Sequence, residues 1–332
     1  MYLKVKRTVA RGLAMSGAAA VKWRLLRPAL YVFTYHRVGD AQACPYDRAT
    51  FSCDAAAFAA QVRLIQQRFD VIGLDRLQQC ARAGPEGRRP LALITFDDGY
   101  IDNYTIAFPI LRSLGLPAVF FLPTAFIGAR LVPWWDQIAW SIRHARRTAF
   151  TLTDCTAELS TVENVEATIR NVLRWVKARP QAPMADKIAE VAEACGVTAD
   201  AAAAEPLFLN WDEARAMHAA GMDIGSHTHT HSILSHLNAA DQERELRQSR
   251  GILEDELDAP IDAVAYPVGR STCYSAATLA CARAAGYRLG FNYSHGVAAL
   301  PVADPLDITR LHMDGNLGAR QLRNLVCFPH WR

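Results

Sequence analysis

Residues 91–100 read Leu-Ala-Leu-Ile-Thr-Phe-Asp-Asp-Gly-Tyr, an apolar run that ends in two carboxylates and a glycine. A continuous run of this kind after Pro90 suits a strand buried on both faces, as in a parallel sheet. Two acids at the end of such a strand are costly unless something pairs with them. Neighbouring strand side chains point to opposite faces. Gly99, however, marks a turn, and at a turn Asp97 and Asp98 can both reach one pocket. Alone, Asp-Asp-Gly fits a strand followed by an Asp-capped helix equally well.

The same kind of run recurs along the chain. Strands are predicted at 30–35, 70–73, 90–96, 117–122, 222–226, 261–265, 287–291 and 308–311. Helical periodicity fills the gaps. Asp54 opens a helix with Phe58, Val62, Ile65 and Phe69 on one side, and others are expected at 74–82, 104–114, 210–220, 239–257 and 275–285. Alternating strand and helix predicts an α/β fold with right-handed crossovers and a mostly parallel sheet or barrel. Residues 129–206 break this rhythm. Trp134, Trp135 and Trp140 open the stretch and helices are predicted at 162–178 and 184–195, which reads as a mainly helical insertion. Its tryptophans are expected in a core, with a sugar- or lipid-lining groove as the alternative.

Composition narrows the function. The 332 residues are 51% hydrophobic, ample for a large core. A net charge of +3 gives no strong nucleic-acid field, so no nucleic-acid partner is expected. No run of 18 apolar residues marks a spanning helix. The eight cysteines form no Cys-x-x-Cys pair, so free thiols and a cytoplasmic location are expected ahead of a periplasmic one. Residues 1–28 form a leader with Lys4, Lys6, Arg7, Arg11, Lys22, Arg24 and Arg27 and no acid. The Ala10-Arg11-Gly12 interruption argues against a cleaved secretory signal. A basic surface helix touching anionic lipid and a solvated arm both stay open.

Three predicted strands end in chemistry: Asp97/Asp98, His227/His231 and His312. Ends of parallel strands are where such folds place their sites. His227 and His231, spaced His-x-x-x-His, put two imidazoles on one side of a turn. With one carboxylate they make a His/His/Asp set with an open position, the ligand set of catalytic Zn2+ or a similar divalent ion. The second aspartate is then free to act as a base. His36, at the end of the first strand, can face the same pocket, although packing is its commoner use. His229, between the two candidate ligands, is expected to point away or support them. His236 and His218 read as surface or packing residues, and His295 is ambiguous.

The segments Thr95-Phe96-Asp97-Asp98-Gly99-Tyr100, Ser226-His227-Thr228-His229-Thr230-His231, Tyr266-Pro267-Val268-Gly269 and Arg310-Leu311-His312 follow one another as in the polysaccharide deacetylases, the NodB-homology group, which this chain resembles. Tyr35-His36-Arg37-Val38 is similar to the opening of bacterial members tied to surface-glycan synthesis. The resemblance covers most of residues 30–315, so a barrel domain over 29–332 is expected, interrupted by the insertion. It implies a distorted (β/α) barrel of about seven parallel strands. It also implies removal of an N-acetyl group from an amino sugar of a polysaccharide or glycan precursor, with a divalent metal. By the same resemblance Asp97 is the base and Asp98, His227 and His231 are the metal ligands. His312 is the general acid, and Tyr266, Pro267 and Val268 form the substrate and oxyanion wall. Two departures stand out. Ala265 takes the place of an arginine expected to partner the catalytic carboxylate, and Val268 replaces an aromatic residue. Hydrolysis of another acyl C–N or ester bond on a lipid-linked sugar, or a non-catalytic glycan-binding barrel, are the competing expectations.

Overall fold

The computed structural model describes residues 18–84, 87–152, 155–179, 182–198 and 205–329. In chain order the strands are β1 (Leu30–Tyr35), β2 (Arg37–Val38), β3 (Phe51–Cys53), β4 (Asp70–Val71), β5 (Leu91–Phe96), β6 (Val119–Leu122), β7 (Ala149–Leu152), β8 (Cys155–Glu158), β9 (Asp223–Ser226), β10 (Ala263–Ala265), β11 (Leu289–His295) and β12 (Ile308–His312). Seven of them close into a parallel ring in the order β1, β12, β11, β10, β9, β6, β5 and back to β1. β1 and β5 run in step from Leu30↔Leu91 to Tyr35↔Phe96. The eighth predicted strand, β4, pairs with the first two residues of β5 and stays outside the ring.

The alternation of side chains sorts each run into two cores. Leu30, Val32, Leu91, Leu93, Val119, Phe121, Ala263, Ala265, Leu289, Phe291 and Ile308 belong to one buried cluster, the barrel interior. Their sequence neighbours Tyr31, Phe33, Ala92, Ile94, Phe120, Val264 and Leu311 belong to the other, against the surrounding helices. This double burial is why the strands read as continuous apolar runs. The helix Leu74–Ala83 contributes Leu74, Leu77, Cys80 and Ala81 to the interior cluster and so closes the end at which the strands begin. Asp223, at the start of β9, caps that helix by accepting a hydrogen bond from the Leu74 N–H at 2.8 Å. The opposite end, where the strands finish, is left for the site.

Helix signals in the sequence hold closely. Asp54 caps Ala55–Arg68 through the Ala57 N–H, and Asn210 makes a capping box on Trp211–Ala219. The expected helix at 104–114 instead begins as a π-turn, Asn103–Ala107, before continuing as Phe108–Ser113. An amphipathic helix at Ala319–Cys327, burying Leu322, Leu325 and Val326, was not foreseen.

The chain divides into two units. The barrel unit comprises Met1–Gly39, Phe51–Gly128 and Phe208–Arg332. The second takes Ala129–Leu207 together with Asp40–Thr50, a stretch that reads as loop in the sequence. It holds the helices Trp134–Arg143, Val162–Lys177 and Met184–Cys195 and the β7–β8 hairpin. Its core gathers around Asp136, fully buried, which accepts from the Asp47 N–H, and around the Arg143–Glu166 pair at 2.8 Å. Trp135 is buried in this unit and Trp134 and Trp140 half-buried.

Residues 1–17 of the leader lie outside the described residues. Its remainder forms the helix Ala18–Arg24, fixed by Trp23 and Leu26, both buried in the barrel unit's core. The seven described cysteine side chains are free thiols.

Gly225 faces Phe121 across the β6–β9 pairing, and a Cβ there would lie 2.5 Å from the ring. Gly251, inside the helix Ala239–Leu257, has open space around it. Gly225→Ala should therefore destabilise by about 1–3 kcal/mol, and Gly251→Ala should stabilise by about 0.5–1 kcal/mol. Urea denaturation of the two variants reads both signs.

Candidate active site

The inward column of β5 runs Leu91, Leu93, Thr95 and on to Asp97, and that of β12 runs Ile308, Arg310, His312. The shared parity sets Arg310 opposite Asp97 at the barrel mouth. The guanidinium grips the carboxylate with both prongs, Nη1 to Oδ1 and Nη2 to Oδ2, each 2.8 Å, and both side chains are buried. Arg310 Nε donates to the Asn292 carbonyl at 2.7 Å, so the fork is held from behind. Burial pushes the Asp97 pKa up, but the Arg310 charge and hydrogen bonds, together with His227 and His36, bring the net shift downward. Asp97 is therefore ionised at neutral pH. The partner that the Ala265 substitution was expected to remove is present after all. It comes from β12 instead of the end of β10.

Asp98 departs from strand alternation. Its φ is +76°, and Gly99 follows at +68°. The left-handed turn brings the second carboxylate to the same side as the first. Asp98 Oδ1 lies 3.4 Å from His227 Nε2 and 3.2 Å from His231 Nε2. One donor atom from each of these three buried residues falls within 4.8 Å of the other two. The His227 Nδ1 atom lies 2.7 Å from the Ala265 carbonyl. It must donate there, which leaves Nε2 of the neutral ring with its lone pair facing a carboxylate. That arrangement asks for a cation between them. Without an ion, protonation of a ring is the other way to supply positive charge there. Burial acts to lower the His227 pKa, yet the Asp97 and Asp98 charges raise it overall. Burial prevails at His231, whose pKa is lowered, while Asp98 is held well below the usual carboxylate range by the two imidazoles despite its burial. The donor set fits a divalent ion, with Asp97 beside it and not part of it.

The loop that carries the two imidazoles is bent twice through left-handed backbone, at Thr228 (φ +64°) and His231 (φ +57°). Each such non-glycine residue costs on the order of 1–3 kcal/mol. Glu245, on the helix Ala239–Leu257, holds the bend. Its carboxylate accepts from the His229 N–H at 2.9 Å, the Thr230 N–H at 2.8 Å and the Thr230 hydroxyl at 2.6 Å. His229 itself turns away from the cluster, onto Thr124 and Gln248.

The remaining candidates fall into place around this centre. His36 Nε2 is 4.0 Å from Asp97 Oδ2, with 23% of its side chain exposed. Its segment is clamped by Arg37, whose Nε meets Asp102 at 2.7 Å between the rings of Phe51 and Tyr100. His312 stacks on Tyr293 at 3.6 Å between centroids and meets the edge of His295 at 5.0 Å. The Tyr266 hydroxyl is spent on the Leu306 carbonyl at 2.8 Å, so this residue brings backbone, not its phenol, to the wall. After Pro267, Val268 sits at φ +59°, a rare conformation for a β-branched residue. The next residue, Gly269, accepts from the Tyr293 N–H at 2.6 Å. His236 is exposed, and His218 Nδ1 lies 3.4 Å from the Met222 carbonyl.

A buried His/His/Asp cluster that could hold a metal, beside an ionised carboxylate at the strand-end mouth of a seven-stranded barrel, defines a class of hydrolase-like site. The polysaccharide deacetylase family model matches residues 84–290, and the chain belongs to that family. Asp97, Asp98, His227, His231 and the 266–269 turn lie inside the matched span, whereas His36, Arg310 and His312 lie outside it. The chain is 23% identical over 207 residues to YxkH of Bacillus subtilis, itself assigned by name to the polysaccharide deacetylases. That alignment takes in 62% of this chain and 46% of the relative. Similar folds are the Streptococcus pyogenes deacetylase PplD in complex with acetate (TM-score 0.58, 16% identity, 90% of this chain and 97% of that one) and IcaB from Ammonifex degensii (TM-score 0.57, 15% identity, 90% and 95%).

Two consequences are measurable. Arg310→Met leaves a buried carboxylate without its counter-charge and should cost about 3–5 kcal/mol in chemical denaturation. Arg310→Met combined with Asp97→Asn should cost less than Arg310→Met alone. Glu245→Ala should weaken zinc binding by about 10–100-fold, read by competition with a chromogenic chelator, as loss of a ligand-orienting partner does.

Proposed function

We propose that the protein is a metal-dependent hydrolase that removes the N-acetyl group from an amino sugar of a polysaccharide or glycan precursor. The observation that carries this reading is the pairing, in one buried site, of a His/His/Asp cluster with a second carboxylate kept ionised by Arg310. Family membership supports it, as does the similarly folded S. pyogenes deacetylase, which is seen in complex with acetate.

Asp98, His227 and His231 would hold the ion, and their donor set favours Zn2+. When bound, such an ion supplies Lewis acidity toward water and an acyl oxygen. The chain's own groups do the rest. Asp97 accepts a proton from the attacking water, and the Arg310 fork fixes both its direction and its charge. The Val268 N–H, set by the left-handed turn, is the donor for the oxygen that gains charge. The departing amine needs a proton. His312 is the donor by resemblance. The approach of His36 to Asp97, together with its partial exposure, favours His36 as a second candidate.

Acetate release from a chitooligosaccharide and from a lipid-linked N-acetyl amino sugar tests the reading and separates polymer from precursor. Asp98→Ala and His231→Ala should lose both bound metal and acetate release. Asp97→Asn should keep the metal and lose about 100–10,000-fold in kcat. Of His36→Ala and His312→Ala, only the variant lacking the proton donor should lose the alkaline limb of the pH profile. A metal-free variant with undiminished turnover would overturn the proposal.

A further inference from the structure

Charge is segregated in this molecule. Residues 1–39 and 315–332 hold eleven Lys and Arg and no Asp or Glu, while the rest holds twenty-five against thirty-three. A net charge of +3 hides this division. Among the described residues, the parts of these segments that carry Lys22, Arg24, Arg27, Arg320 and Arg323 come together. The helix Ala18–Arg24 packs on the helix Ala319–Cys327, with Cys327 Sγ 3.5 Å from the Ala19 carbonyl and Lys22 Nζ 4.7 Å above the Phe328 ring. Arg68 joins them by donating to the Trp23 and Arg24 carbonyls at 2.7 and 3.1 Å, and Arg323 lies 6.0 Å over the Trp23 ring.

The same place exposes apolar surface. The exposed large hydrophobic side chains among the described residues are Val21 (59%), Leu25 (72%) and Val162. The first two are four apart on one helical turn, with the Leu25 N–H bonded to the Val21 carbonyl at 3.2 Å, so they share a face. Trp23 and Leu26 point the other way and are buried. Arg24 and Arg27 are exposed beside the pair. A cavity of about 460 Å3 opens alongside, lined by Lys22, Leu25, Arg27, Val297, Leu300 and Val326. Greasy side chains ringed by cations, with no acid in either contributing segment, match the interface of an anionic bilayer, where apolar insertion and headgroup attraction add.

We propose that this terminal face docks the protein on anionic lipid. The docking face lies where β1 begins, at Ala29–Leu30, and the site lies where it ends, at His36. A six-residue strand separates the two by about 20 Å. The mouth of the barrel is therefore turned away from the bilayer plane, toward glycan that stands clear of the headgroups. This inference does not depend on the chemistry proposed for the site.

Sedimentation of the full chain with phosphatidylcholine vesicles, with and without phosphatidylglycerol, tests it. Binding should require phosphatidylglycerol and weaken with added salt. Arg24→Gln with Arg27→Gln should lower the partition coefficient about thirty-fold. Val21→Ser with Leu25→Ser should lower it by about ten-fold or more. The urea-denaturation midpoint should stay unchanged in both, which shows that the fold is intact. No preference for anionic vesicles would overturn the proposal, as would binding that both pairs of substitutions leave unaltered. Retention on heparin without vesicle binding would assign the face to a soluble polyanion and equally overturn it.

Discussion

Two carboxylates side by side inside a protein repel each other and lose their hydration, so they persist only where positive charge is built around them. Asp97 and Asp98 meet that condition in two different ways. Asp97 receives a permanent charge, the Arg310 guanidinium, through two parallel hydrogen bonds. Asp98 receives imidazoles, which can give up their protons to a metal ion. The division makes adjacent, chemically identical residues unequal. One is locked as an anion beside the cluster, and the other belongs to it.

The barrel keeps its strain close to this centre. Among the described residues five non-glycines have positive φ, and four of them, Asp98, Thr228, His231 and Val268, lie in the three turns that build the site. Each lets a side chain or an N–H reach the mouth against the strict alternation of the strand before it. The surroundings hold these turns in place. Glu245 secures the histidine loop from its helix. Leu122, Pro123 and Ile127 crowd the Gly99 turn. Below the charged layer, Thr34 and Thr95 meet at 3.2 Å, and apolar packing begins beneath them.

The two ends of the barrel do different work. The end where strands start is sealed by the helix Leu74–Ala83, anchored on Asp223. Nearby, the helix Ala18–Arg24 packs on Ala319–Cys327. The end where strands finish collects the polar columns. Because β1 spans the whole barrel, the orientation of one end fixes that of the other.

Much of this was legible in the sequence. Apolar runs bounded by Gly and Pro marked the barrel strands, since a strand buried on both faces can carry little else. The Asp-Asp and His-x-x-x-His spacings marked the donors that come together, since a cation would need them close. Arg310 was on view in the motif that ends at His312, and its parity with Ile308 and His312 already placed it inside. What hid its role was distance. Asp97 and Arg310 are 213 residues apart, and only ring closure of the seven strands makes them neighbours. The same holds for the terminal face, because a net charge of +3 gives no sign that the chain ends fold together. Local patterning thus determined which segments are strands and which donors can bind a metal, because both depend on residues a few positions apart. The counter-charge for Asp97 and the packing of Ala18–Arg24 on Ala319–Cys327 were decided by tertiary structure alone, because closure of the ring brings those groups within reach, and the brace from Glu245 needs its helix to fold back on the loop 15 residues before it.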